Sequence, residues 1–172
     1  MTKTNAQRTV EAAEANVQFQ QAFEDGRALV GTTDGFQADD DAWTAAIEND
    51  SDDKRIVIIG YTAIADDLVF LDLLEDPTAL PDGNQTDPVN PNRAAADAVP
   101  DEFTIYWEDT GPLSGTRLAS LAMSQDGFPV ETLFSVEPHS SLAVTSEALG
   151  GFLAPDTIQG VFSITAYWED VE

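Results

Sequence analysis

His139 is the single histidine of the chain and stands beside two serines in Pro138-His139-Ser140-Ser141. A histidine base next to a serine nucleophile is the kernel of acyl-transfer chemistry. Triad partners, however, converge from distant segments, whereas neighbours on a turn point apart. No Gly-x-Ser-x-Gly elbow accompanies them, so His139 reads as a turn residue between two strands. Carboxylates are more numerous: Asp and Glu total 32. With so many, some pair falls by chance at the roughly 5–10 Å separation that glycosidases use, so their number carries no signal. Glu108 and Glu169 would face each other only if their strands pair. Asp50, Asp52 and Asp53 form one acidic turn, and Asp39, Asp40 and Asp41 another. Such hard oxygen ligands suit calcium. Yet counting from Asp50, the sixth position of an EF-hand loop is Arg55 rather than glycine, and the twelfth is Tyr61 rather than glutamate. Both groups therefore read as solvated turns. Gly150-Gly151 has neither the lysine nor the following helix of a phosphate loop. Two glycosylation sequons, Asn49-Asp50-Ser51 and Asn84-Gln85-Thr86, fall in expected loops; with no secretion signal in view, neither is expected to be modified. The sequence thus predicts no catalytic, cofactor-binding or metal-binding residue, no small-molecule substrate and no enzyme.

Function must then lie in the elements that would have carried a site. A chain of 172 residues suggests one domain, and Leu, Ile, Val and Phe number 42. That share exceeds the roughly 20% below which a highly charged chain stays disordered. Seven basic and 32 acidic residues leave a formal charge of −25. Such a surface repels nucleic-acid phosphate and anionic lipid alike. The acids are dispersed in short groups, Asp outnumbers Glu 20 to 12, and lysine appears only at Lys3 and Lys54. In dilute buffer this surface repels itself and weakens the compact state. At molar salt the Debye length falls to about 3 Å and the repulsion fades, so the pattern predicts a salt-adapted protein. With no cysteine in the chain, disulfides and thiolate chemistry are excluded. The polar start, Met1 to Arg8, leads into no apolar stretch, so no signal peptide is expected.

Residues 1–25 read as an N-terminal arm, with a weak helix and a first strand equally supported. From Gly26 to the end the text is β. Strands are expected around Trp43–Ile47, Arg55–Ala63, Leu68–Leu74, Phe103–Glu108, Leu118–Met123, Val130–Val136, Ser141–Thr145 and Val161–Trp168, about eight in all. Gln125-Asp126-Gly127 reads as a hairpin. Residues 75–102 form a long connection carrying Pro77, Pro81, Pro88, Pro91 and Pro100. Proline removes backbone donors, so this stretch reads as a loop that adds little to the core and serves an interface; Ala94–Ala98 leaves room for one helical turn. Alternation puts Phe103, Ile105 and Trp107 on one face of a strand, and Phe162, Ile164, Ala166 and Trp168 on one face of another. Both strands end in Tyr-Trp-Glu-Asp. These patterns predict an all-β fold, a single antiparallel jelly-roll β-sandwich over residues 26–172.

The run of strands from Trp43 to Trp168, the loop Pro88-Val89-Asn90-Pro91-Asn92-Arg93 and units such as Leu118–Gly127 together resemble a known family. It is the smaller single jelly-roll major capsid protein of icosahedral, internal-membrane viruses of haloarchaea, the sphaerolipovirus kind. The resemblance implies a virion structural protein, assembled in the host cytoplasm into capsomers beside further copies of itself and a second capsid protein, close to an internal viral membrane. The alternatives are a turret, tail or decoration protein of a halophilic virus, or a cellular carbohydrate-binding β-sandwich. A sugar-binding module would display its aromatics together, whereas Trp43, Trp107 and Trp168 lie within alternating strands.

Overall fold

A computed structural model describes residues 5–33, 36–38, 44–65, 69–80, 83–95, 98–108, 113–123, 128–130, 134–148 and 158–171. The N-terminal arm is a helix, α1 (Asn5–Glu24). Its twenty residues include neither glycine nor proline and are rich in Ala, Gln and Glu, good helix formers that outweigh the short Val-Gln-Phe-Gln alternation. Gly26 ends it in the left-handed region, at φ 78°. The Gly26 N–H donates to the carbonyl of Phe23 and the Arg27 N–H to that of Ala22, the pairing of a Schellman cap. Ala22 is buried, while Val17 stays 68% exposed.

Twelve strands follow among the described residues: β1 (Ala28–Thr32), β2 (Phe36–Ala38), β3 (Thr44–Asn49), β4 (Lys54–Ala65), β5 (Val69–Glu75), β6 (Asn84–Thr86), β7 (Phe103–Glu108), β8 (Thr116–Met123), β9 (Phe128–Val130), β10 (Phe134–Val136), β11 (Ser140–Ala148) and β12 (Ile158–Asp170). They form two six-stranded antiparallel sheets. The first runs β1-β12-β4-β10, with β2 also on β12 and β9 also on β4; the second runs β6-β7-β3-β11-β5-β8. The pairings nest. β1 joins β12, β3 joins β11, β4 joins β9 and β10, and β5 joins β8. The all-β sandwich expected from the sequence is therefore present, with more strands than eight. The excess comes from β1, β2 and β6, and from Val130–Val136, whose described ends belong to two strands, β9 and β10.

Two expectations are corrected. Gln125-Asp126-Gly127 lies outside the described residues, but the strands on either side of it belong to different sheets, β8 to the second and β9 to the first. β8 and β9 therefore change sheet instead of pairing with each other as a hairpin. Local turn chemistry cannot distinguish the two, because both need a reversal. The long connection is also not separate from the core. β6 pairs with β7, and Val89 exchanges two backbone hydrogen bonds with Val30 on the free side of β1, at 2.9 and 2.8 Å. Val99 lies in the main core, and Leu80 packs on a second cluster formed by Ala46, Leu74 and Ala143. Each proline withholds only its own donor, so the residues between them remain free to pair. Ala95 N–H bonds to the carbonyl of Asn92; the turn allowed at Ala94–Ala98 includes Ala96 and Asp97, which lie outside the described residues.

The core lies between the sheets. In β7, Phe103, Ile105 and Trp107 are buried and alternate with half-buried residues. Phe162, Ile164, Ala166 and Trp168 of β12 are buried opposite them. The rings of Phe103 and Trp168 meet edge to face, 6.2 Å apart at 66°. Each such side chain contributes about 1.5–3 kcal/mol by leaving water. The sheets approach closely at Gly31, where an added Cβ would stand 2.0 Å from Ile105 Cδ1, so any larger residue there would force the buried Ile105 side chain to shift.

Candidate functional site

Among the described residues, a cluster of polar and ionisable groups lies at one end of the sandwich. It gathers the β3–β4 turn (50–53), the β10–β11 turn (137–139), the α1–β1 corner and the C-terminal end of β12. Its centre is Asn49, fully buried at the end of β3. The Asn49 amide donates to the carbonyls of Lys54 (2.8 Å), Val136 (3.0 Å) and Glu137 (3.0 Å). Its oxygen accepts from the Ser51 backbone (3.2 Å) and hydroxyl (2.7 Å). Asn-x-Ser reversals of this kind let the side chain stand in for backbone in a turn. Here they also tie the second sheet, through β3, to β4 and β10 of the first. Asn49 is therefore no glycosylation acceptor in the folded chain and does not lie in an open loop. Asn84, the other sequon asparagine, is exposed on β6.

Around this hub sit three of the basic side chains. Arg55 Nε lies 2.8 Å from Glu137 and its Nη1 3.1 Å from Glu169. Hydrogen bonding to Glu137 raises the guanidinium pKa further above its ordinary value. Lys54 Nζ lies 2.6 Å from Asp53, and that bond raises its pKa as well. Arg27 bonds to Asp25 at 3.0 Å and donates to the carbonyl of Trp168 at 3.3 Å. Sequence reasoning missed Asn49 and Arg55. The Asn-Asp-Ser order was a turn signal as well as a sequon, and Arg55 is one of only five arginines.

His139 occupies the turn between β10 and β11 with φ 55°, a turn residue as its sequence suggested. Its Nε2 lies 2.9 Å from Asp52 and its Nδ1 3.4 Å from Asp50. Hydrogen bonds to Asp50 and Asp52 raise its pKa above the usual 6.5. Both ring nitrogens face carboxylates, so neither is directed at Ser140 or Ser141. The cluster suits an imidazolium holding two turns together, and not a base beside a nucleophile. Asp50, Asp52 and Asp53 lie in one turn, but among the described residues no three acidic or histidine side chains converge as a metal site. Asp39–Asp41 and Gly150-Gly151 lie outside the described residues.

Glu108 and Glu169 do not come together, because β7 and β12 belong to opposite sheets. Trp107 and Trp168 are 7% and 6% exposed, so they form no open stacking platform; Trp43 lies outside the described residues. No helix among those residues is long and apolar enough to cross a membrane. No protein-family model matches the chain and no curated sequence matches it.

Proposed function

We propose that the chain is a coat subunit of a salt-adapted virion, its sandwich wound as a jelly roll and its copies packed into capsomers with a second capsid protein over an internal membrane. The observation that carries this reading is the nested pairing of β1 with β12, β3 with β11, β4 with β9 and β10, and β5 with β8. Such nesting is what one long antiparallel ribbon rolled on itself would give, the double Greek-key winding used by viral coat and lectin domains. The hub at Asn49 fits a load-bearing role, since it fastens the two sheets by hydrogen bonds in addition to packing. The buried indoles weigh against the sugar-binding alternative.

The test is electron microscopy of the purified chain at molar potassium chloride, where screening tightens to about 3 Å. Rings or shells are expected, together with a melting temperature that climbs as salt is added. Monodisperse monomers at every salt and protein concentration would overturn the proposal.

A further inference from the structure

Edges decide how a β-sandwich meets other chains, because an unpaired strand presents a row of free N–H and C=O groups. The two sheets have four lateral edges. On the first sheet, β1 is covered by Val89 of the long connection, β2 is described over three residues, and the edge along β4 is described over Phe128–Val130 and Phe134–Val136, with the acid Glu131 between them in sequence. On the second, β6 is three residues long. The remaining edge is β8, eight residues long, with no strand on its outer side among the described residues.

β8 is also unusual in charge. Its sequence, Thr-Arg-Leu-Ala-Ser-Leu-Ala-Met, lies within residues 110–125, the longest stretch of the chain without an acid. Natural edges are commonly guarded by charges. Here the one charge, Arg117, is tied to Asp72 on the neighbouring strand at 2.6 Å. A bulge provides partial protection. Ala119 stands opposite Leu73 and Arg117 opposite Leu74, which leaves Leu118 as the extra residue, 41% exposed. Beyond it the register is regular from Ala119 to Met123.

We infer that Ala119–Met123 of β8 pairs edge to edge with the same segment of a second copy, antiparallel across a two-fold axis. Charge selects this occupant. A second copy also carries −25 and is repelled wherever acids would face acids, whereas two β8 edges bring together the acid-free stretches of both. A two-fold contact uses one patch twice and closes without further growth. Regular antiparallel pairing centred on Leu121 sets Ser120 opposite Ala122 of the partner. The two Ser120 Cα atoms then lie about 8 Å apart, from a spacing of about 4.8 Å across strands and about 3.4 Å per residue along them.

The absence of cysteine makes the test specific, since Ser120→Cys supplies a single labelling site at an exposed position. The full chain, spin-labelled there, is measured in molar potassium chloride by sedimentation and electron paramagnetic resonance, with circular dichroism to confirm the fold. Expected is a dimer of twice 18.5 kDa with strong dipolar broadening that is lost on mixing with excess unlabelled wild-type chain. A folded variant that stays monomeric at all concentrations overturns the inference, as does an oligomer without broadening. This outcome is separable from the coat reading. Shells without broadening would retain the virion role and remove the β8 contact; broadened dimers that never form larger assemblies would do the reverse.

Discussion

The tetrapeptide Tyr-Trp-Glu-Asp occurs twice, at 106–109 and at 167–170, and its two copies have different surroundings. Both tryptophans point into the core, because alternation along a strand fixes which face each side chain takes. The tyrosines differ. Tyr167 is buried, and its hydroxyl donates to Gln18 of α1 at 3.1 Å. Tyr106 is half-buried on the outer face of the second sheet and donates to Glu48 on β3 at 2.9 Å. Burial raises the pKa of both phenols, with the Glu48 charge adding to the effect at Tyr106. The glutamates sit differently as well: Glu169 meets Arg55, whereas Glu108 stands in register with Thr44 of β3. Local sequence sets direction, and what covers each sheet sets environment. A helix lies over the first sheet; the second carries a small apolar cluster under Leu80 and Leu113.

The largest effect should come from the residues the two copies share. Trp168→Ala is expected to cost roughly 3–5 kcal/mol, the range for large aromatic deletions in cores, and Trp107→Ala a similar amount. Denaturant titration at fixed molar salt measures both. A near-neutral Trp107→Ala would mean that only the β12 copy is structural.

Next is the hub that joins the two sheets. Asn49→Ala takes its donor from the buried carbonyl of Val136 and the acceptor from the buried Ser51 N–H, while the Lys54 carbonyl keeps the Ser51 hydroxyl; it should cost about 2–3 kcal/mol, given about 1–3 kcal/mol for each unsatisfied buried group. If the sheets were held by packing alone, the same titration would show a loss of only a few tenths.

The tyrosines should split the comparison more finely. Tyr167→Phe and Tyr106→Phe should each lose about 1 kcal/mol, the usual net worth of one hydrogen bond. Only Tyr167→Phe should speed limited proteolysis within α1. Equal cleavage in both variants would mean that the helix does not depend on β12 through this bond.

The smallest effect belongs to His139. Its pKa is raised in the folded chain, so its contribution is complete below the ordinary value of about 6.5 and is lost as pH rises through the folded-state value. The difference in melting temperature between wild type and His139→Gln should be greatest at mildly acidic pH and shrink with rising pH. A difference that does not vary with pH would mean that the two turns are not joined by an imidazolium.

Much of the fold was legible because burial on one face writes itself into alternation. β4, β5, β7, β11 and β12 all stand near where branched and aromatic residues placed them. α1 was ambiguous because few of its described side chains are packed inward: Ala22 is buried and Val17 is not. β6 and the Val89 bridge were hidden by prolines, which suppress strand propensity without preventing the residues between them from pairing. The hub was hidden because an asparagine that satisfies three carbonyls has the same letter as one that faces water. The His139 turn was readable from Pro138; its carboxylate partners, nearly ninety positions away at Asp50 and Asp52, were not.

The nested pairing also sets an order of events as the chain folds. Ala28 pairs with Tyr167, and β4, between β12 and the short β9 and β10, finds all its strand partners later in the chain. The first sheet cannot close until its last strand is available. Loop-closure entropy must be met before any of these contacts is rewarded, so folding should be slow, on the millisecond-to-second scale of β-sandwiches. Stopped-flow fluorescence of the tryptophans would show this; a microsecond phase accounting for the whole signal would contradict it. During synthesis, Ile56-Val57-Ile58-Ile59 leaves the ribosome roughly a hundred residues before β12 does, several seconds at about 5–20 residues per second. Until β9 and β10 follow, the most apolar strand of the first sheet has none of its partners, and until β12 follows it has only those two short ones, so the cell must keep it from finding a foreign one.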